Sequence, residues 1–192
     1  MFFSSSWLVA ALMAAASAAG LASDSIYRDN ALVEAAWRGN DLVTLLLAVP
    51  LLIGAIILAR KGSKRALLIS LGMLAYGAYN YAFYLFGAAF NSLFLLYVGV
   101  LAFSTLALIA GLASNEIRSL VQQIRPERRD RLIGWLIIFV AVILGLFWII
   151  TSVAFNFTGV VPPMVTATAH PTNVTGALDL WLVVTFGVLA VA

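Results

Sequence analysis

Residues 66–86 read ALLISLGMLAYGAYNYAFYLF, a stretch without charged side chains that decides the fold class of this chain. A helix needs roughly 20 mostly apolar residues to cross the ~30 Å hydrocarbon core of a bilayer, and this stretch is long enough. Its second half is distinctive, because the segment Tyr76–Tyr84 places four tyrosines and one asparagine within an apolar run. The stretch therefore predicts a membrane-spanning helix that carries polar groups.

The composition of the whole chain agrees with this prediction. Of 192 residues, 64% are apolar and 10% are charged, whereas soluble domains are roughly 45–50% apolar and about 25% charged. A chain of this size cannot hide so much apolar surface from water, so we expect it to be surrounded by lipid. The lack of cysteine excludes disulfides and thiolate metal sites, and the single histidine excludes multi-histidine metal or haem sites.

The apolar pattern predicts an all-α, polytopic transmembrane bundle that forms one domain over residues 1–192. Six spans are expected, at residues 2–22, 42–59, 66–86, 92–113, 132–155 and 177–192. The first span also fits a signal peptide, but it lacks the usual basic start, so we expect a retained helix. The last span is shorter than ~20 residues, so we expect the natural protein to continue beyond it.

Basic residues are concentrated in two segments that join neighbouring spans. Residues 60–65 carry four positive charges, and residues 114–131 carry five arginines. Because cytoplasmic loops carry an excess of Lys and Arg, both segments are predicted to lie in the cytoplasm, which places both chain ends there too. The net charge of +3 therefore indicates orientation, and no nucleic-acid partner is expected.

Two connecting segments have helical patterns. Residues 24–39 predict either a short surface helix, capped by Ser23 or Asp24 and with Trp37 on its apolar face, or a plain connector. Residues 115–125 repeat apolar side chains at helical spacing. They predict an amphipathic extension of the fourth span that rests on lipid headgroups, or else a docking surface for a partner.

The polar stripe of the third span is the first candidate site. Tyr76, Asn80 and Tyr84 are spaced by four residues and share one helix face, which Asn91 extends outward. An amide in hydrocarbon is costly unless it is hydrogen-bonded, so Asn80 is expected to face the bundle. Two interpretations stay open: a ligand site or permeation path, and interhelical hydrogen bonds together with an outer aromatic belt.

Two carboxylates are further candidates. Asp41 and Asp179 each stand at the start of a predicted span, where an acidic side chain caps a helix favourably at the membrane interface. The alternative is a proton or cation site at the outer mouth of the bundle. Pro50 in the second span predicts a local disturbance, because proline removes one backbone hydrogen bond. The third span also contains small residues, which predict close packing against its neighbours: Gly72, Ala75, Ala78 and Ala82.

Three segments carry a resemblance to a known family: NDLVTLLLAVPL at residues 40–51, LARKGS at 58–63 and AYGAYNYAFYLFGAAFN at 75–91. Together they resemble a family of uncharacterised prokaryotic integral membrane proteins, and HPTNVTGALDL at residues 170–180 continues the likeness more loosely. The resemblance implies the cytoplasmic membrane of a bacterium or archaeon, and it implies no activity. The matching positions are Asp41, Pro50, Tyr79, Asn80, Tyr81, Asn91 and Asp179.

For function, the sequence favours a protein that binds or transports a small molecule, at a site of Tyr76, Asn80, Tyr84 and Asn91 with Asp41 and Asp179 at its mouth. One alternative is a non-catalytic accessory subunit of a membrane complex, with Trp135 and Trp148 facing a partner. A lipid-acting enzyme is the other, though no nucleophile–base set supports it. Expected partners are membrane lipid and either other membrane proteins or further copies of the chain. No cofactor or metal is expected.

Overall fold

A computed structural model of the protein describes residues 1–123, 128–185 and 187, and in this part of the chain it is all-helical, as predicted. Nine α-helices occur within the described residues: α1 (Phe2–Ala22), α2 (Ala31–Val43), α3 (Val49–Arg60), α4 (Lys64–Gly87), α5 (Phe94–Leu112), α6 (Asn115–Gln123), α7 (Arg128–Thr158), α8 (Pro163–Thr168) and α9 (Val174–Leu178). Two π-helical segments cover Thr44–Ala48 and Asp179–Val184.

Five of the described helices are long and apolar enough to cross a membrane: Phe2–Ala22, Ala31–Arg60, Lys64–Gly87, Phe94–Leu112 and Arg131–Thr158. They overlap the first five predicted spans and support a multi-pass membrane protein. The sixth predicted span, residues 177–192, overlaps a shorter apolar helix at Val174–Val184. Residues 186 and 188–192 lie outside the described residues, so the sixth span stays a prediction.

The second span begins earlier than predicted. α2, the first π-helical segment and α3 form one continuous helix of 30 residues, from Ala31 to Arg60. Its cap is Asn30, whose side chain accepts a hydrogen bond from the Val33 N–H at 3.0 Å. The prediction of a separate surface helix over residues 24–39, capped by Ser23 or Asp24, is therefore wrong, and the alternative of a plain connector holds for residues 24–30 alone. The reason is that Asn30 supplies the acceptor that a helix start needs.

The disturbance predicted at Pro50 is present as a widened turn. Pro50 lies in the first turn of α3, directly after the π-helical segment. Within that segment the Val49 N–H bonds to the carbonyl of Thr44, five residues earlier. Because proline has no N–H to donate, a turn with one extra residue lets the helix continue past it.

The chain divides into two compact units, Met1–Gln123 and Ile124–Ala192. In the first unit, α1 packs against α5 and the Ala31–Arg60 helix, while α4 packs against both α3 and α5. The core side chains between these helices include Val9, Met13, Leu52, Leu74 and Val100. A single transmembrane domain over residues 1–192 stays a prediction.

The first unit has two ends, named here for the charges nearby. The basic end comprises residues 60–65 and 112–116, and the acidic end comprises residues 23–30 and 88–93. At the basic end, Gly62 makes the turn between α3 and α4 with a φ of +90°, a conformation that favours glycine.

The amphipathic helix predicted over residues 115–125 is present as α6. Its Ile117 is buried against Leu67 and Leu71 of α4, so one face rests on protein. The Lys64 ammonium also donates to the Gln123 side chain at 2.9 Å. Predicted residues 124 and 125 lie outside the described part of the chain.

Close packing of α4 involves only some of the predicted residues. Ala82 is buried, as predicted. Gly72 and Ala75 are exposed, and a Cβ added at Gly72 would have no neighbour within 4 Å. A Cβ added at Gly77 would instead lie 2.9 Å from the Ser104 hydroxyl oxygen of α5. The prediction is therefore wrong for Gly72 and Ala75, because the face of α4 that meets α5 passes through Gly77.

In the second unit, α7 carries a tryptophan that faces inward. Trp148 is 3% exposed, and its indole N–H donates to Asp179 Oδ2 at 2.9 Å. Trp135, in contrast, is 65% exposed. The interpretation that both tryptophans are outward-facing is therefore wrong for Trp148, because the indole N–H meets a buried carboxylate within its own unit.

Candidate functional site

Asp41 is the centre of a buried polar cluster in the first unit. Its side chain is 2% exposed. The Tyr27 hydroxyl donates to Asp41 Oδ2 at 2.5 Å, and the Tyr84 hydroxyl oxygen lies 3.0 Å from Asp41 Oδ1. The prediction that Asp41 caps a helix start is wrong, because the helix already begins at Ala31 and Asp41 lies within it.

A glycine on α1 makes room for this carboxylate. A Cβ built on Gly20 would collide with Asp41 Oδ2 and with the Tyr27 hydroxyl oxygen. Ser17, on the preceding turn of α1, is fully buried and also faces Asp41. Since any larger side chain at Gly20 needs the space of the carboxylate, α1 and α2 approach closely only because this residue is glycine.

Five aromatic rings pack together beside the carboxylate, and we call them the aromatic cluster: Tyr27, Trp37, Tyr81, Tyr84 and Tyr97. Tyr84 touches the other four, with ring centroids 4.7 Å from Trp37, 5.1 Å from Tyr97, 5.4 Å from Tyr81 and 6.3 Å from Tyr27. Such pairs contribute about 0.5–1.5 kcal/mol each beyond their buried area. The cluster therefore holds Asp41 in a rigid, largely apolar setting.

The acidic end closes over the aromatic cluster through Asp29. Its Oδ2 accepts the Trp37 indole N–H at 3.0 Å, and its Oδ1 accepts the Ala89 backbone N–H at 3.1 Å. One carboxylate thus links the loop before α2, the buried tryptophan and the turn between α4 and α5.

Tyr27 lies in the loop between α1 and α2, outside the five long helices. Burial raises the pKa of its hydroxyl, and the hydrogen bond to Asp41 raises it further. Tyr27 is therefore a proton donor to Asp41 over the whole physiological pH range.

The predicted stripe on α4 has a second polar contact. The hydroxyl oxygens of Tyr76 and Thr44 lie 2.7 Å apart, so the stripe meets the π-helical segment of the second span. Asn80, between Tyr76 and Tyr84, is 6% exposed. Its Nδ2 has no hydrogen-bond partner among the described residues, so this amide N–H₂ makes no bond between helices there.

A narrow cleft reaches the aromatic cluster from the acidic end. It has a volume of about 70 Å³, and its walls include Tyr84, Tyr97 and Asn91. The buried hydroxyl of Tyr97 has no hydrogen-bond partner within the described part of the chain. A wider cleft of about 450 Å³ shares Asn91 and two phenylalanines with the narrow one, and adds Arg28.

Asn91 also shapes the turn between α4 and α5. Its Oδ1 accepts the Leu93 N–H at 2.9 Å, and its Nδ2 donates to the Ala89 carbonyl at 3.1 Å. Both bonds are local, so Asn91 fixes the wall of the cleft.

The six predicted site residues are only partly brought together. Asp41 and Tyr84 are in direct contact, and Asn91 lines the same cleft as Tyr84. Tyr76 and Asn80 lie on the same helix as Tyr84. Asp179 belongs to the second unit, where it contacts Trp148.

Sequence reasoning missed four members of the site: Ser17, Gly20, Tyr27 and Tyr97. Trp37 was assigned to a membrane surface. A usable signal existed for Trp37, because Asn30 is a good helix cap, and a helix that starts there places Trp37 and Asp41 one turn apart on one face. Tyr97 stands alone in an apolar run, and nothing in that local pattern points to Asp41.

Among the described residues, no group of three or more His, Asp or Glu side chains is placed to share a metal ion. Searches of protein-family models, curated proteins and solved structures each found no match to this chain.

Proposed function

We propose that this chain is an integral membrane protein that binds, and in a transport cycle moves, a small molecule at the polar-aromatic site around Asp41. We propose the same topology and setting as the sequence predicts: six spans, both chain ends in the cytoplasm, and the cytoplasmic membrane of a bacterium or archaeon. In that orientation the basic end faces the cytoplasm, and the acidic end with its two clefts faces outward. Membership of the family of prokaryotic membrane proteins that the sequence resembles belongs to the same proposal.

The observation that carries the proposal is the setting of Asp41. The ion pairs of the described residues join Arg38 to Asp24 and to Glu34, and none of these pairs involves Asp41. Ionisable residues within membrane bundles are costly and commonly mark substrate or ion pathways. A buried carboxylate without a basic partner, beneath a cleft lined by Tyr84 and Tyr97, supports a site that takes part in binding.

The side chains gathered around Asp41 supply recognition chemistry. Hydroxyl groups offer both donors and acceptors, and ring faces attract apolar or cationic groups. Among the described neighbours of Asp41 we see tyrosines, a tryptophan and a serine, which fit a binding site better than a nucleophile with its base. We therefore propose binding or transport without catalysis.

A ligand screen on the purified full chain in lipid nanodiscs tests this proposal. Thermal stability is measured against a panel of amines, amino acids, carboxylates and sugars, and each solute that stabilises the protein is then tested for uptake into proteoliposomes. We expect a stabilising solute whose effect is lost in Asp41→Asn and in Tyr84→Phe.

Asp24→Asn is the matched control, because Asp24 is an exposed aspartate that pairs with Arg38 at the surface. Its stabilisation by the same solute should equal that of the wild type. An equal effect of the solute on Asp41→Asn contradicts the proposed site. If no solute binds, and another membrane protein co-purifies in stoichiometric amount, the protein is instead an accessory subunit.

A further inference from the structure

The Tyr84 hydroxyl lies between two oxygens that both accept hydrogen bonds. Its oxygen is 2.9 Å from the Trp37 carbonyl oxygen and 3.0 Å from Asp41 Oδ1. A tyrosine hydroxyl has one proton and can donate it to only one of them at full strength. If Asp41 were ionised, one of these two contacts would have no hydrogen of its own.

A proton on Asp41 supplies the missing hydrogen. Asp41 Oδ1–H then donates to the Tyr84 oxygen, and Tyr84 donates its own proton to the Trp37 carbonyl. Tyr27 donates to the other carboxyl oxygen, Oδ2, at 2.5 Å. Each of the three contacts then contains one hydrogen, which is how buried polar groups are normally satisfied.

The charges around Asp41 agree with a neutral carboxyl group. An isolated ionised carboxylate is costly to bury, and a buried group of this kind commonly takes up a proton. Among the described residues, the ionisable groups that face Asp41 are tyrosines and one cation, Arg38, which is engaged by Asp24 and Glu34. These groups are Tyr27 of the loop, Arg38 of α2, Tyr76, Tyr81 and Tyr84 of α4, and Tyr97 of α5; α1 contributes Ser17.

The narrow cleft brings water close to Tyr84. One water molecule needs about 10–15 Å³ of such space, so the cleft of about 70 Å³ has room for several. Tyr97 lines it, is 2% exposed, and has a hydroxyl without a hydrogen-bond partner in the described residues. Its polar neighbours are Tyr27 and Asn91. The Tyr97 ring therefore lines the cleft, whereas its hydroxyl is buried behind the cleft wall, beside Tyr27.

We propose that Asp41 and Tyr84 form a proton-binding pair, which carries its proton in this conformation. On release, the Asp41 O–H bond breaks and water in the cleft accepts the proton as hydronium. The Tyr84 proton then turns from the Trp37 carbonyl to the Asp41 carboxylate. This inference rests on the proposed function in one respect: H⁺ is an ion that binds at the proposed site.

Infrared spectroscopy of the full chain in nanodiscs tests the pair directly. We expect the carbonyl stretch of a protonated carboxylic acid at neutral pH, shifted in D₂O and lost in Asp41→Asn. Tyr84→Phe removes the acceptor of the carboxyl proton, so the band should remain and shift in frequency.

Three results would overturn the inference: a wild-type protein without a protonated carboxyl band, a band that survives in Asp41→Asn, or a band that disappears in Asp179→Asn instead. If Asp41→Asn does not fold, the Tyr84→Phe spectrum decides, and an unshifted band rejects the pair. The infrared measurement needs no small molecule. It can therefore reject the proton-binding pair while the ligand screen supports the proposed function, or the reverse.

Discussion

At the scale of the residue, the meaning of Asp41 depends on where its helix begins. A helix that starts at Leu42 makes Asp41 a surface cap, whereas the helix that starts at Ala31 places it inside a bundle, between Tyr27 and Tyr84. The carboxylate is the same in both cases. Its neighbours change its chemistry from that of a capping charge to that of a buried group which needs hydrogen-bond donors.

Asn80 predicts a change in stability opposite to the one expected if its side chain formed an interhelical hydrogen bond. Its Nδ2 is buried without a partner among the described residues, and an unsatisfied buried polar group costs about 1–3 kcal/mol. Asn80→Leu should therefore leave the thermal stability in detergent unchanged or raise it. A clear loss of stability would show that Asn80 holds helices together.

Tyr27 predicts the behaviour of the protein at alkaline pH. Its pKa is raised by folding, while an unfolded tyrosine titrates near pH 10. Above about pH 10 the unfolded state therefore binds fewer protons than the folded state, so stability is full below that pH and falls as pH rises.

Tyr27→Phe is the matched variant for this prediction. It should be less stable at neutral pH, because it loses the hydrogen bond to Asp41, and its stability should fall less steeply above about pH 10. Urea or thermal unfolding across a pH series measures both effects. Parallel pH profiles for the two proteins would contradict the assignment.

At the scale of the element, the second span accommodates a proline and also carries polar side chains that contact α4. The π-helical segment accommodates Pro50, and its Thr44 bonds to Tyr76 of α4. Asp41 and Thr44 are buried on the same face of this helix. The continuous helix thus carries two polar contacts to α4, one from Asp41 and one from Thr44. The presence of Pro50 in the sequence does not predict these contacts.

The contact between α1 and the second span gives a paired prediction. Gly20→Ala places a methyl group against Asp41 and Tyr27, and overpacking of this kind costs about 1–3 kcal/mol. Gly54 lies in the second span with open space around it, so Gly54→Ala should stabilise that helix by roughly 0.5–1 kcal/mol. Thermal unfolding of the two variants measures the difference, and equal effects would contradict the packing.

At the scale of the whole molecule, the two clefts beside the aromatic cluster lie at the end of the first unit opposite to Arg60 and Lys64, which line a further cleft of about 640 Å³. The clefts near Tyr97 and Arg28 are at the acidic end, and Arg60 and Lys64 are at the basic end. If the basic end is cytoplasmic, the site opens outward. The orientation of the chain therefore decides which compartment supplies ligand and protons.

Cysteine labelling tests this orientation, and the absence of native cysteine makes single substitutions specific. In intact cells, Phe90→Cys, at a side chain that is 77% exposed, should react with a membrane-impermeant thiol reagent. Lys61→Cys, in the turn at the basic end, should react only after the membrane is opened. The reverse pattern would invert the proposed topology and the side from which the site is reached.

The sequence by itself determined the all-helical class and the approximate position of five long apolar helices, because hydropathy and charge are properties of local composition. It also identified Tyr84 and Asp41 as candidates, although it placed Asp41 at a helix start. Only the tertiary structure brought them together. Tyr27 and Tyr84 stand 14 and 43 residues from Asp41 along the chain, and Gly20 makes room for the carboxylate from a third segment. Contacts between distant segments depend on how helices pack, and no local pattern contains that information.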